Sequence, residues 1–209
     1  MPTKTLQKPR KQAPGKPEVK VRLFAAAKEL MLAKGFAATT IDEICEAAEV
    51  TKGGFFHYFG SKDELGRELL VRTCCEAGEH LESFFGASKD PLERALSYVD
   101  GIIQMCSDRE ATKGCLLGTF SQELSGENRQ IRSACAKGFS NWARQFGTEL
   151  AKAKAKYAPK AAFDPKELAT HMIAILEGSF ILAKANQDWT VPSKNLRHFK
   201  VYLKTRFEK

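Results

Sequence analysis

No two cysteines in this chain are spaced as a C-x-x-C pair. Cys45, Cys74, Cys75, Cys106, Cys115 and Cys135 are scattered. That scatter argues against a zinc cluster or a disulfide framework and fits reduced thiols in the cytoplasm. Histidine is scarce, and His57, His80, His171 and His198 lie far apart, none beside a plausible nucleophile. A glycine-rich phosphate loop is also missing. These absences point away from an enzyme, and neither cofactor nor metal is expected. No uninterrupted apolar run approaches the roughly 20 residues that cross a bilayer. The N-terminus is basic but lacks the apolar core of a secretion signal. There is no strand pattern and no internal repeat. The expectation is a soluble, all-α, cytoplasmic protein.

Charge is present but uneven. The 209 residues carry a formal +8. Within residues 1–22, seven basic side chains face Glu18 alone, so the rest of the chain is close to neutral. Residues 1–17, rich in Lys, Pro and Gln and poor in large apolar groups, read as a disordered basic arm. Such an arm either follows DNA phosphates or the minor groove, or remains a solvated tail.

The most informative stretch is TTIDEICEAAEVTKGGFFHYFGSKDEL, Thr39 to Leu65. Thr40-x-x-Glu43 forms a capping box, and Ile41, Ile44 and Ala48 recur at helical spacing behind it. Val50 occupies a tight corner. Thr51 caps the next helix, which Lys52, Gly53 and Gly54 open with little side-chain bulk. A helix that starts so bare suits insertion into a DNA major groove. Ser61-x-x-Glu64 is a second capping box, and Lys62 beside free helix-start N–H groups suits a phosphate. Phe55 and Phe59, at i and i+4, read as core with Tyr58 at the rim, while Phe56 is directed toward a thymine methyl.

These residues resemble the TetR/AcrR family of bacterial transcriptional regulators. The likeness runs from Leu23 to about Leu65 through Phe24, Ala27, Gly35-Phe36, Thr39-Thr40-Ile41, Ile44, Ala47, Val50-Thr51-Lys52-Gly53, Tyr58-Phe59 and Ser61-Lys62. It implies an all-helical homodimer that represses from a palindromic operator until a small molecule binds the C-terminal body. It also implies DNA-backbone contacts for Thr40 and His57. The DNA-contacting set is then Thr40, Thr51, Lys52, Gly53, Gly54, Phe56, His57, Tyr58 and Lys62. Two positions depart from the pattern: Gly54 stands where Thr or Ser is common, and Phe56 where Tyr is usual.

The expected organisation is a basic arm (1–17), a helix-turn-helix head (18–65) and an effector-binding and dimerisation body (66–209), in about nine helices. A helix from Val19 to Lys34 ends at Gly35, and a long one leaves Lys62 toward Phe85. Asp90-Pro91 and Asp164-Pro165 each start a helix with an Asp cap and Pro at the first turn. Further helices are expected over 115–124, about 127–156, 165–186 and 193–207, the last behind a Ser193 cap.

In the body, Phe120, Phe139, Trp142, Phe146 and Phe180 are ordinary core material taken singly. The cavity that the resemblance implies makes Phe120, Trp142 and Phe180 candidates for an apolar pocket that takes a hydrophobic effector. Cys115 sits at a helix start near Lys113, two effects that favour thiolate over thiol. A Gly-Cys-Leu run there resembles the electrophile-sensing branch of the family, in which a lysine from a later helix lies nearby, here Lys184. The bland reading of Cys115 is a small buried hydrophobe. Ile173, Leu176, Phe180 and Lys184, with Leu196, Phe199, Leu203 and Phe207, are expected to form the interface of the homodimer that the resemblance implies. The competing reading is an architectural or non-specific DNA-binding protein without an effector.

Overall fold

The computed structural model describes residues 16–107 and 114–207, so residues 1–15 of the basic arm and Lys113 lie outside the described residues. Among the described residues there are nine helices and no strand. They are α1 (Lys16–Lys34), α2 (Ile41–Ala47), α3 (Lys52–Tyr58), α4 (Lys62–Ser83), α5 (Pro91–Ser107), α6 (Leu116–Leu124), α7 (Arg129–Tyr157), α8 (Pro165–Asn186) and α9 (Val191–Thr205).

Local chemistry sets most of these boundaries. Gly35 ends α1 at φ +89, a left-handed turn that glycine adopts without strain. The Thr40 hydroxyl accepts from Glu43 N–H while the Glu43 carboxylate accepts from Thr40 N–H, closing the capping box. The Thr51 hydroxyl accepts from Gly54 N–H at 3.1 Å. At the start of α4 only half of the expected box forms: Ser61 Oγ accepts from Glu64 N–H, but Glu64 reaches back one residue further, to Gly60 N–H at 2.7 Å. Asp90 and Asp164 each accept two N–H groups of the following first turn. The last helix starts two residues earlier than expected. Pro192 lies in its first turn, and Ser193 is buried and donates to Thr190 O instead of capping.

The apolar residues gather into two clusters that ignore the expected division at residue 65, which falls inside α4. One joins α1–α4 to Leu116, Leu117, Phe120 and Leu124 of α6 and to Ile131 and Cys135 of α7. The other joins the end of α4 to α5, α7, α8 and α9 around a stack of Phe85, Tyr98 and Phe146 rings. Helix α6 therefore packs as part of the head, and Cys115, at its start, touches both clusters.

Although its apolar run is interrupted, α8 is long and apolar enough by length and composition to cross a membrane. Leu168, Met172, Ile173, Leu176 and Phe180 of this helix are buried in the second cluster. The stripes expected at a dimer interface thus serve the chain's own core, as do Leu196, Phe199, Leu203 and Phe207. The apolar side chains that α8 and α9 leave outward are Ile181, Leu182, Val201 and Tyr202.

Candidate nucleic-acid interface and a pocket behind it

Helices α2 and α3 meet at Val50, and α3 projects its N-terminal end outward. Phe55 and Phe59 are buried under it, Phe59 edge-to-face with Phe24 of α1 at 5.3 Å. Thr51, Lys52, Gly53, Phe56 and His57 stay exposed. A side chain added at Gly53 would meet nothing within 4 Å, so the front of the helix is open. Gly54 differs: a Cβ there would approach Val50 Cγ1 at 2.7 Å, so a larger residue requires the Val50 side chain to shift. Lys52 pairs with Asp42 at 2.9 Å, and this contact raises the lysine's pKa. Both partners are well exposed, so the pair is weak and exchangeable for a phosphate. Thr40 is committed to its capping box, with its hydroxyl also on the Glu43 carboxylate. Tyr58 is half-buried at the rim.

Lys62 does not extend toward solvent. Its ammonium donates to Phe36 O at 2.8 Å, to Thr39 O at 2.7 Å and to Ala37 O at 3.4 Å, and lies 4.5 Å from the Phe36 ring centre. Burial lowers its pKa, as expected for an ammonium drawn out of water. The sequence made it a phosphate ligand; in the fold it closes the carbonyls of the loop between α1 and α2.

The capping box is also a pH sensor for the head. A hydrogen bond from Lys34, then those from Thr40, hold the Glu43 carboxyl at about 2, against an ordinary 4.5. A depressed carboxyl stabilises the fold fully above the unfolded value and loses that contribution as pH falls through the folded one. The start of α2 is therefore expected to loosen between about pH 4.5 and 2. The carboxyl-carbon NMR shift of Glu43 reads this directly, and a midpoint at the ordinary glutamate value would contradict it.

Behind the head, a pocket of about 200 Å³ opens between α6 and α8. Cys115, Thr119, Gln122 and Glu123 line it from α6, and Glu177, Phe180, Ile181 and Lys184 from α8. Of the expected sensing residues, Cys115, Phe180 and Lys184 converge here. Phe120 does not: it is fully buried against Phe36 at 5.2 Å on the head side of α6. Trp142 lies elsewhere too, donating from Nε1 to Tyr98 Oη at 2.7 Å. The pocket sets Glu123, Glu177 and Lys184 among apolar lining, and of the expected aromatics Phe180 alone lines it.

Its electrostatics reverse the expectation for Cys115. Burial, then the negative charge of Glu177, push the thiol well above its usual range, so the resting group is a protonated thiol. Cys115 holds the cap position of α6, but its sulfur closes no cap hydrogen bond. Glu177 is the group that sequence reasoning missed. Burial raises its pKa, and its hydrogen bond with Cys115 and the Lys184 charge pull the other way. Its Oε1 is buried without a hydrogen-bond partner. The carboxylate fits against α6 only because residue 118 is glycine, since a Cβ there would overlap it. A lone carboxylate in the apolar run of α8, seven residues before Lys184, was the available signal.

Two charged walls of the pocket hold the head directly. Lys184 Nζ donates to Leu32 O, in the last turn of α1, at 3.2 Å. Glu123 accepts from Phe36 N–H at 3.1 Å and Ala37 N–H at 2.9 Å. A Cβ at residue 35 would overlap that carboxylate, so Gly35 serves both the turn and this approach.

Residues 23–69 match the model of bacterial regulatory proteins of the tetR family. Residues 91–191 match that of the transcriptional regulator LmrA/YxaF-like C-terminal domain. The chain is 26% identical over 171 residues to the HTH-type transcriptional repressor DhaR of Mycobacterium sp. (strain GP1), covering 81% of this chain and 84% of that protein. It is 29% identical over 188 residues to the transcriptional regulator AcuR of Cereibacter sphaeroides, covering 88% and 86%. The fold matches the crystal structure of regulatory protein TetR from Rhodobacter sphaeroides with a TM-score of 0.77, at 26% identity over 91% of this chain and 99% of that one. It matches that of the reduced form of E. coli NemR with a TM-score of 0.75, at 26% identity over 88% of this chain and 95% of that one.

Proposed function

This chain belongs to the TetR family of bacterial regulatory proteins, and from that premise we propose that it is a dimeric repressor whose operator affinity is set by a small molecule in the α6–α8 pocket. The exposed end of α3, with Thr51, Lys52, Gly53, Phe56 and His57, enters the major groove. Gly54 contributes by its lack of bulk, and Thr40 and Tyr58 flank the surface. Lys62 supports it from behind. Ile181, Leu182, Val201 and Tyr202 form the outward apolar face on which a second copy docks; a two-fold pair then meets a palindromic site.

The observation that carries the regulatory half is the set of three hydrogen bonds from the pocket to the head. Lys184 and Glu123 line the cavity and hold backbone groups of α1 and its following loop. A ligand that recruits either side chain, or an adduct on Cys115, favours a conformation in which those bonds are absent and the head is repositioned. Weakening operator binding a hundredfold takes about 2.7 kcal/mol of coupling.

Binding of the purified protein to DNA from upstream of its own gene, against a scrambled duplex, tests the proposal. The expected result is strong preference for the upstream DNA, lowered when a small thiol-reactive electrophile is added. Equal affinity for both duplexes at every salt concentration would instead support a non-specific DNA-binding protein. Preference that survives the electrophile would keep the repressor and assign the pocket to a non-covalent ligand.

A further inference from the structure

We infer that Glu177 is the general base that lets Cys115 add to a small carbonyl-conjugated electrophile inside the pocket, with Lys184 as the cation that meets the developing oxyanion. The inference rests on reading Cys115 as the modifiable residue of this pocket.

Three observations converge on it. Cys115 and Glu177 line one pocket, and the Glu177 carboxylate lies against the first turn of α6, 2.0 Å from where a Cβ on Gly118 would sit, so the thiol proton has an acceptor beside it. The second carboxylate oxygen is sealed from solvent without a partner, although buried polar atoms are nearly always paired. Lys184 lines the same cavity, and its Nζ lies 3.8 Å from the position a Cβ would take on Gly114, the neighbour of Cys115. A thiol, a base and a cation around one small space make a complete set for nucleophilic addition.

The step balances without an oxidant. Sγ attacks the β-carbon of an α,β-unsaturated carbonyl and an S–C bond forms. The displaced π pair moves onto the carbonyl oxygen, opposite the Lys184 ammonium, while the thiol proton passes to Glu177. Glu177 then returns that proton to the α-carbon as the carbonyl re-forms. S–H has been added across C=C, and the carboxylate is regenerated. The adduct's carbonyl offers Lys184 an acceptor other than Leu32 O, which ties the chemistry to the head. The cavity of about 200 Å³ has room for a small electrophile beside these three groups.

The test is the rate of acrylamide incorporation into the native full-length protein, resolved by site with mass spectrometry. Exposed Cys75 serves as the internal reference. In the wild type, the Cys75 rate supplies the reference for uncatalysed addition at each pH. The Cys115 rate should stay nearly level over about pH 7 to 9, because its base is built in. The charged groups facing this cysteine among the described residues are Glu123 from α6 and Glu177 and Lys184 from α8, while α1 contributes only a carbonyl. Glu177→Gln should slow Cys115 about 100-fold at neutral pH, leave Cys75 unchanged, and recover as pH rises. Glu177→Asp should retain much of the rate. A Cys115 rate that tracks Cys75 with pH in the wild type, or equal labelling in E177Q, overturns the inference. Failure of the underlying reading looks different: C115S would then release operator DNA on acrylamide treatment as readily as the wild type.

Discussion

Replacing Phe120 by alanine is expected to destabilise the protein by about 3–5 kcal/mol and to disconnect the pocket from the head. The ring is fully buried, stands edge-to-face on Phe36 at 5.2 Å, and its Cε2 lies 3.4 Å from where a Cβ on Gly66 would sit. Removing a fully buried ring costs its transfer energy plus that of the cavity left behind. The functional effect follows from the same contact. Helix α6 carries pocket residues on one side and Phe120 on the other, so the ring passes any shift of α6 to the loop after α1. Urea denaturation should show a lowered midpoint with little change in slope. Operator binding by the surviving folded protein should respond less to an effector or to Cys115 modification. Phe120→Leu should recover most of the stability. A loss under about 1 kcal/mol for the alanine variant would show that the site collapses freely and that the ring transmits nothing.

Lys62→Ala should have the second large effect, and its form separates two roles for this lysine. Three carbonyl oxygens take hydrogen bonds from the ammonium, two of them at 2.8 Å or less. Hydrogen bonds to charged groups contribute about 1.5–3 kcal/mol, so a loss near 3 kcal/mol is expected. DNA affinity should fall at every salt concentration because the loop that seats α2 has lost its closure. The slope of log affinity against log salt should nonetheless stay the same. Loss of a true phosphate contact would reduce that slope by about 0.9. An unchanged stability together with a reduced slope would return Lys62 to the DNA.

Much of the head was legible because its determinants act within one turn of chain. Thr40 and Glu43, Thr51 and Gly54, and Asp164 with the N–H groups of Lys166 and Glu167 are separated by two or three residues. Residue type and spacing specify such bonds whatever the rest of the fold does. Phe55 and Phe59 were readable as core for the same reason, since i and i+4 share a helix face. Ser193 failed because Pro192 belongs at a helix start and drew the boundary back to Val191.

The pocket was legible only in part. Cys115 and Lys184 were placed together by family resemblance, and the fold does bring them to one cavity. Phe120 and Phe180 looked alike in sequence, an aromatic at helical spacing in an apolar run. Which of them faced the cavity depended on how α6 wedges between the two clusters.

The sequence by itself determined the helices, most of their caps and the family, because those rest on contacts between near neighbours. Tertiary structure alone decided the rest. It set the half-buried Cys115 beside Glu177, where desolvation and then the carboxylate charge raise the thiol's pKa, opposite to the direction inferred from the helix start and nearby lysine. It turned Lys62 inward onto carbonyls 23 to 26 residues away. It joined Glu123 to amides 86 and 87 residues away, across the head–body division. Desolvation and long-range hydrogen bonding depend on which surfaces are pressed together, and packing settles that after the local rules have been met.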